Sequence, residues 1–230
     1  MIYCISDLHG RYDLYCKMLD KIAFTKEDTL YILGDFVDRG SEGLRILLDV
    51  SDRDNVIGLM GNHDFTSLAV LSNLGKPLTP DKLEDHKMLI DVWKMDGGME
   101  TYREYKALSQ YDRPLALAML DGLRNCATLE VGDKKFVLCH GGIAGYTEEK
   151  PLSDYTIADF AFTREDYSKQ KFTESNKFLV TGHTPTVAIE GGEKGRIFHS
   201  HDHIAIDCGA VFDFGLGCIC LDTMEEYYVK

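Results

Sequence analysis

Hydrophobic positions at the start of the chain alternate between short apolar runs and stretches of helical spacing. Ile2–Ser6, Thr29–Leu33 and Asn55–Met60 are short apolar runs that read as strands. Between them, Leu14, Met18, Leu19 and Ile22 recur at helical spacing over 11–23, and Leu44, Leu47 and Leu48 mark a second helix. A third helix is expected to begin near Phe65. This β-α-β-α-β order predicts parallel strands with right-handed crossovers. From about 66 to 126 the chain is polar and helix-prone and carries Trp93, the single tryptophan. That stretch reads as a helical insertion over one edge of the sheet, broken by Gly97-Gly98 and Pro114. From 127 the pattern turns strand-rich. Ala127–Val131 and Lys135–Cys139 flank a Gly132-Asp133 turn, as in a hairpin. Lys177–Thr181, Ile197–His199, Ile204–Asp207, Gly217–Leu221 and Tyr227–Val229 follow, the last four closely spaced and expected to be antiparallel. The expected fold is α/β, with two packed mixed sheets flanked by helices and one helical insertion.

Composition agrees with a folded chain. The 230 residues are 44% hydrophobic and 27% charged, which excludes collagen-like or disordered classes and suits one domain over 1–230. The formal charge of −13 excludes nucleic acid as a partner bound through general phosphate attraction. No run approaches the roughly 20 apolar residues of a membrane helix, so no membrane partner is expected. The start shows no basic leader. The seven cysteines are odd in number, and Cys4 and Cys139 sit inside apolar runs. Buried thiols of that kind point to a reducing compartment and a cytoplasmic location. Oligomeric state is not encoded in any pattern here.

Chemistry concentrates where strands end. Five apolar runs each stop at a residue able to bind a metal: Asp7-Leu-His9-Gly10, Gly34-Asp35-Phe-Val-Asp38-Arg39-Gly40, Gly61-Asn62-His63-Asp64, His140-Gly-Gly and Gly182-His183-Thr-Pro. In open α/β sheets, ligands sit beyond the carboxyl ends of the strands, so five such exits can share one crevice. Asp and His with one Asn form a mixed oxygen and nitrogen set, suited to manganese, iron or zinc rather than calcium. No cysteine joins them, which excludes a structural zinc site. Asp7 and His9, two apart, would point to the same side of an extended backbone.

These blocks, in this order, resemble the signature of calcineurin-like metallophosphoesterases. Val37-Asp38-Arg39-Gly40 is similar to the phosphoprotein phosphatase branch, bacterial and phage serine/threonine phosphatases included, and Ile206–Phe212 looks like that branch's C-terminal strand and turn. Ser6, Asp64 and Phe162-Thr163 depart from the branch's usual Gly, Glu and Trp. The resemblance implies two divalent ions, manganese first, with iron or zinc as alternatives. Asp7, His9 and Asp35 would hold one ion; Asp35 would bridge to a second held by Asn62, His140 and His183. His63, oriented by Asp38, would be the general acid, and Arg39 and Arg164 would bind phosphate.

The chemistry is coherent with those roles. Two cations about 3.5–4 Å apart neutralise an anionic ester and lower the pKa of a bridging water. Two arginines clamp phosphoryl oxygens bidentately. The expected function is a metal-dependent phosphomonoesterase, acting on phosphoserine or phosphothreonine proteins or small phosphate esters by a bridging hydroxide. A symmetrical dinucleoside tetraphosphate hydrolase is the alternative and is expected to be the poorer reading; a catalytically inactive phosphate-binding scaffold ranks below both. Two further features read as ordinary structure. His199, His201 and His203, with Cys218 and Cys220, suit a strand with one polar face better than a zinc cluster. Trp93 and Tyr102 to Tyr111 suit core better than a substrate lid.

Overall fold

Apolar side chains on both faces of the early strands require cover on both sides. The computed structural model describes residues 1–77 and 79–230; residue 78, within the expected insertion, lies outside the described residues. The first half runs β1 (Ile2–Ile5), α1 (Tyr12–Lys21), β2 (Thr29–Ile32), α2 (Gly43–Ser51), β3 (Val56–Gly58) and α3 (Asn62–Leu71). Three helices follow: α4 (Pro80–Met95), α5 (Gly98–Ala107) and α6 (Asp112–Asp121). The second half contains β4 (Cys126–Val131), β5 (Lys134–Cys139), α7 (Ile157–Ala161) and β6 (Lys177–Thr181). It ends with β7 (Phe198–Ser200), β8 (His203–Ala205), β9 (Leu216–Cys220) and β10 (Glu226–Val229).

Two five-stranded sheets form, ordered β10-β9-β1-β2-β3 and β4-β5-β6-β8-β7. Strand alternation then assigns side chains to layers. Cys4, Tyr31, Leu33 and Ile219 of the first sheet meet Phe136, Leu138, Val180 and Ile204 of the second in a shared core. The opposite faces, Ile5, Leu30 and Ile32 on one side and Val137, Cys139 and Leu179 on the other, pack under helices and loops. The expected sandwich of two mixed sheets with flanking helices is therefore the observed one.

Three details differ from the sequence reading. Among the last four strands β7 pairs antiparallel to β8 and β9 to β10, as expected, but β8 also lies parallel to β6, as β6 does to β5. The long connections after β5 and β6 leave room for parallel crossovers, which short spacing alone conceals. Helix α3 starts at Asn62 rather than near Phe65, because Asp64 accepts the Gly61 N–H at 3.0 Å and closes the first turn. Pro114 lies in the first turn of α6, where a missing N–H costs nothing; the break falls before that helix instead.

Candidate active site

The five strand exits converge. Asp7 and His9 follow β1, Asp35 to Arg39 follow β2, Asn62 and His63 open α3 after β3, His140 follows β5 and His183 follows β6. Backbone conformation concentrates there as well. Of the ten non-glycine residues with positive φ among the described residues, six are Asp7, His9, Asp35, Asp38, Arg39 and His183. Left-handed backbone costs such residues on the order of 1 kcal/mol each and persists only where the surroundings fix it.

Asp35 sits at the middle. Its Oδ2 lies 3.5 Å from His9 Nε2 and 3.4 Å from His140 Nε2. Two groups able to hold a metal share it: His9, Asp35 and His63, and Asp35, His140 and His183. Asn62 Oδ1 stands 3.0 Å from His140 Nε2, on the side of the second group. Two of the ligating nitrogens are aimed by a hydrogen bond at the other end of the ring. His9 Nδ1 donates to the Val37 carbonyl at 2.9 Å and His140 Nδ1 to the Leu33 carbonyl at 2.6 Å, leaving both Nε2 atoms turned inward.

Electrostatics follow from burial and crowding. Burial pushes His9 down to about 3, reinforced by His63 and Arg39 and opposed by Asp35. Burial, with His140 close by, also takes His183 down to about 3. Burial works against charge on His140 too, but the charge of Asp35, its hydrogen bond and Asp7 prevail and hold it protonated up to about 10. Asp35 itself is depressed well below the carboxylate range, burial notwithstanding, by His140, His63 and His9. The neutral imidazoles of His9 and His183, the His140 ring once it gives up its proton, one firmly ionised carboxylate and one amide oxygen fit divalent cations of the manganese, iron or zinc type. An ion at this point would take the place of the His140 proton.

Asp7 is placed differently from the other expected ligands. It belongs to neither group; its carboxylate accepts from the Ser6 hydroxyl and from the His183 N–H at 3.0 Å. Burial, and next the Asp35 charge, raise its pKa. Asp207 is buried close to it and is likewise pushed well up by burial and by Asp7.

His63 Nδ1 lies 2.9 Å from Asp38 Oδ2, and Arg39 bridges the two imidazoles, with Nη1 3.1 Å from His9 Nε2 and Nη2 3.0 Å from His63 Nε2. Burial disfavours charge on His63, but the Asp38 hydrogen bond and the Asp35 charge outweigh it and raise its pKa. The guanidinium can donate only to an unprotonated Nε2, so the resting proton is on Nδ1. Arg164 is exposed, yet its Nη1 is tethered to Thr184 Oγ1 at 3.1 Å and the His183 carbonyl at 3.3 Å. Glu165 pairs instead with Lys171, at 2.7 Å, so Arg164 is not a surface partner of its neighbour.

Several functional contacts escape sequence reading. The Asp64 carboxylate accepts backbone N–H groups of Asp35, Phe36 and Gly61 at 2.8, 2.9 and 3.0 Å, fastening the β2 exit to the β3 exit. Ser67, Trp93 and Thr101 surround Asp38. An acid next to the Asn-His pair is the only signal available for the first; Trp93 stands out in the sequence only as a core aromatic, and nothing marks Ser67 or Thr101. His199 pairs with Glu226 and His203 Nε2 donates to the Lys169 carbonyl, and neither joins a metal-capable group among the described residues.

The model of the calcineurin-like phosphoesterase family matches residues 1–214. A symmetrical bis(5'-nucleosyl)-tetraphosphatase of Erwinia tasmaniensis is 31% identical over 144 residues, 61% of this chain and 44% of the relative. Its counterpart from Salmonella arizonae is 33% identical over the same length, 61% of this chain and 43% of the relative. The chain thus spans less than half the length of the curated relatives it matches. Among solved structures, a candidate diadenosine tetraphosphatase superimposes at TM-score 0.65 with 15% identity, covering 99% of this chain and 92% of that one. A protein serine/threonine phosphatase from Saccharomyces cerevisiae superimposes at 0.61 with 15% identity, covering 100% and 80%. These likenesses concern the fold.

Proposed function

The chain belongs to the calcineurin-like phosphoesterase family, whose members use divalent metals, and on that premise we propose that it is a metal-dependent hydrolase of phosphoric ester and anhydride bonds. The observation that carries this reading is the pair of metal-capable groups sharing Asp35, with the His63–Asp38 pair alongside. When bound, two divalent ions supply charge neutralisation at the phosphoryl group and a water of lowered pKa. His9 and Asp35, with Asp7 as the resemblance implies, would hold one, and Asp35, Asn62, His140 and His183 the other; His63, the remaining member of the first group, would stay free to act as the acid. Arg39 leaves the two imidazoles and, with Arg164, clamps the phosphoryl oxygens. His63, then protonated at Nε2 and held by Asp38, gives its proton to the leaving oxygen.

For substrate, we infer the alternative above: a dinucleoside polyphosphate ranks before a phosphoprotein. The curated relatives named tetraphosphatases support that order. So do two features of the rim. Phe65 and Phe162 are 39% and 47% exposed, and their rings meet edge to face 6.0 Å apart beside His63 and Arg164. A groove of about 530 Å³ runs from Arg164 and Thr184 past Ile189 and Phe198; it has room for a nucleoside-sized group, and Glu165, Asp166 and Glu190 in its lining suit a neutral nucleoside better than further phosphate. The fold shared with a serine/threonine phosphatase keeps phosphoprotein as the second reading. Seven free thiols support a cytoplasmic location. The deciding experiment is a panel of diadenosine tetraphosphate, phosphopeptides and nitrophenyl phosphate, each with manganese, iron, zinc and magnesium. The expected result is highest kcat/KM on the tetraphosphate, with two nucleoside diphosphates as products. A phosphopeptide outperforming it would restore the other order, and no hydrolysis with any metal would refute both.

A further inference from the structure

Asp38 is wholly buried and its carboxylate is crowded with donors. Besides His63, it accepts from Ser67 Oγ at 2.9 Å, from Thr101 Oγ1 at 2.6 Å and from Trp93 Nε1 at 3.1 Å to both oxygens. Ser67 lies one turn along α3 from His63, but Trp93 and Thr101 come from α4 and α5 of the insertion. The indole is 3% exposed and sits against Val70 and Leu71 of α3. It can do so only because residue 98 is glycine: a Cβ there would lie 2.2 Å from the indole Cε2. The preceding Gly97, at φ +99°, turns its carbonyl to accept the Arg39 N–H at 3.1 Å, and a Cβ on it would lie 2.8 Å from that nitrogen. One two-residue junction thus holds Asp38 through Trp93 and Arg39 through its backbone. Both held residues have left-handed backbone, at φ +67° and +68°, so outside restraint is what keeps them there.

We infer that the helical insertion is a scaffold for proton delivery, with Trp93 a positioning residue that fixes Asp38 and, through it, the plane of the His63 imidazole. The single indole N–H is shared: it lies 2.8 Å from Ser67 Oγ and 3.1 Å from each Asp38 oxygen, and Ser67 Oγ itself donates to Asp38 Oδ1, so the indole holds the carboxylate both directly and through the serine without bringing a competing charge. Thr101 closes the arrangement, donating to Asp38 Oδ1 while accepting the Asp38 N–H at 2.8 Å. The inference rests on the proposed acid role of His63.

Trp93→Phe keeps an aromatic ring in the slot and removes only the donor. The test measures kcat and KM of metal-loaded protein on nitrophenyl phosphate and on an alkyl phosphate, whose leaving groups differ in their need for a proton. The expected result is a fall in kcat of about 10- to 100-fold on the alkyl ester, a much smaller fall on nitrophenyl phosphate, and unchanged KM and metal content. Equal losses on both esters, or none, would overturn the inference. Thr101→Val, close to isosteric, gives the same readout should Trp93→Phe fail to fold. His63→Asn is run beside them. If it lacks leaving-group dependence, the acid role itself falls; if it shows the dependence and neither other variant does, only the scaffold falls.

Discussion

Asp35 bears the most at the scale of single residues, because both metal-capable groups depend on it. Asp35→Ala should abolish hydrolysis and lose at least one ion, since two cations would then face each other without a shared anion. Metal analysis finding two tightly held ions in that variant would exclude a bridging role. His140 yields a second expectation. Without metal its pKa, raised from 6.5 to about 10, lies above the ordinary histidine value, so its charged form stabilises the fold. That contribution is complete below about pH 6.5 and is lost as pH rises through about 10. A metal needs the neutral ring, so loading at pH 7.5 should release at least one proton per chain. Calorimetry in two buffers of different ionisation enthalpy measures this; equal heats in both would remove His140 from the ligand set.

Between elements, the exits of β2 and β3 are joined by Asp64, whose carboxylate serves N–H groups that no strand partner reaches. Asp64→Ala would leave those groups buried and unpaired, at a cost of about 3 kcal/mol. Urea unfolding should register it, and a loss under about 1 kcal/mol would mean water takes the carboxylate's place. The rim between α3 and the segment after α7 yields another expectation. Phe65 and Phe162 stay partly exposed with their rings edge to face 6.0 Å apart, which leaves an aromatic face open to a base. Base stacking on an aromatic ring is worth about 1–3 kcal/mol. Phe162→Ala should therefore raise KM for diadenosine tetraphosphate at least about 5-fold while leaving nitrophenyl phosphate unchanged. A parallel change for both substrates would remove the ring from nucleotide recognition.

Over the whole molecule, the centre lies where the two sheets meet. Asp35 and Asn62 come from exits of the first sheet, His140 and His183 from exits of the second. Bound ions would therefore tie the sheets together, and folded protein alone would bind them as a set. Free ion at about 100 times Kd adds about 2.7 kcal/mol, or roughly 5–10 °C in Tm for a chain of this size. Chelation should lower Tm by that amount and metal should restore it; a Tm indifferent to chelator would mean that the centre holds no ion. The sequence by itself determined the strands, the residue types at their ends and hence the family resemblance, because period-two apolar runs and the polar residues that stop them are local. It also contained the candidate metal ligands, which stand next to strong strand signals. It did not contain the pairing of β9 with β1, the tether of Arg164 to Thr184, the capping by Asp64, or the grip of Trp93 on Asp38, 55 positions away. Those contacts join segments far apart in the chain, and which segments meet is decided only when the packed core fixes where each element lies.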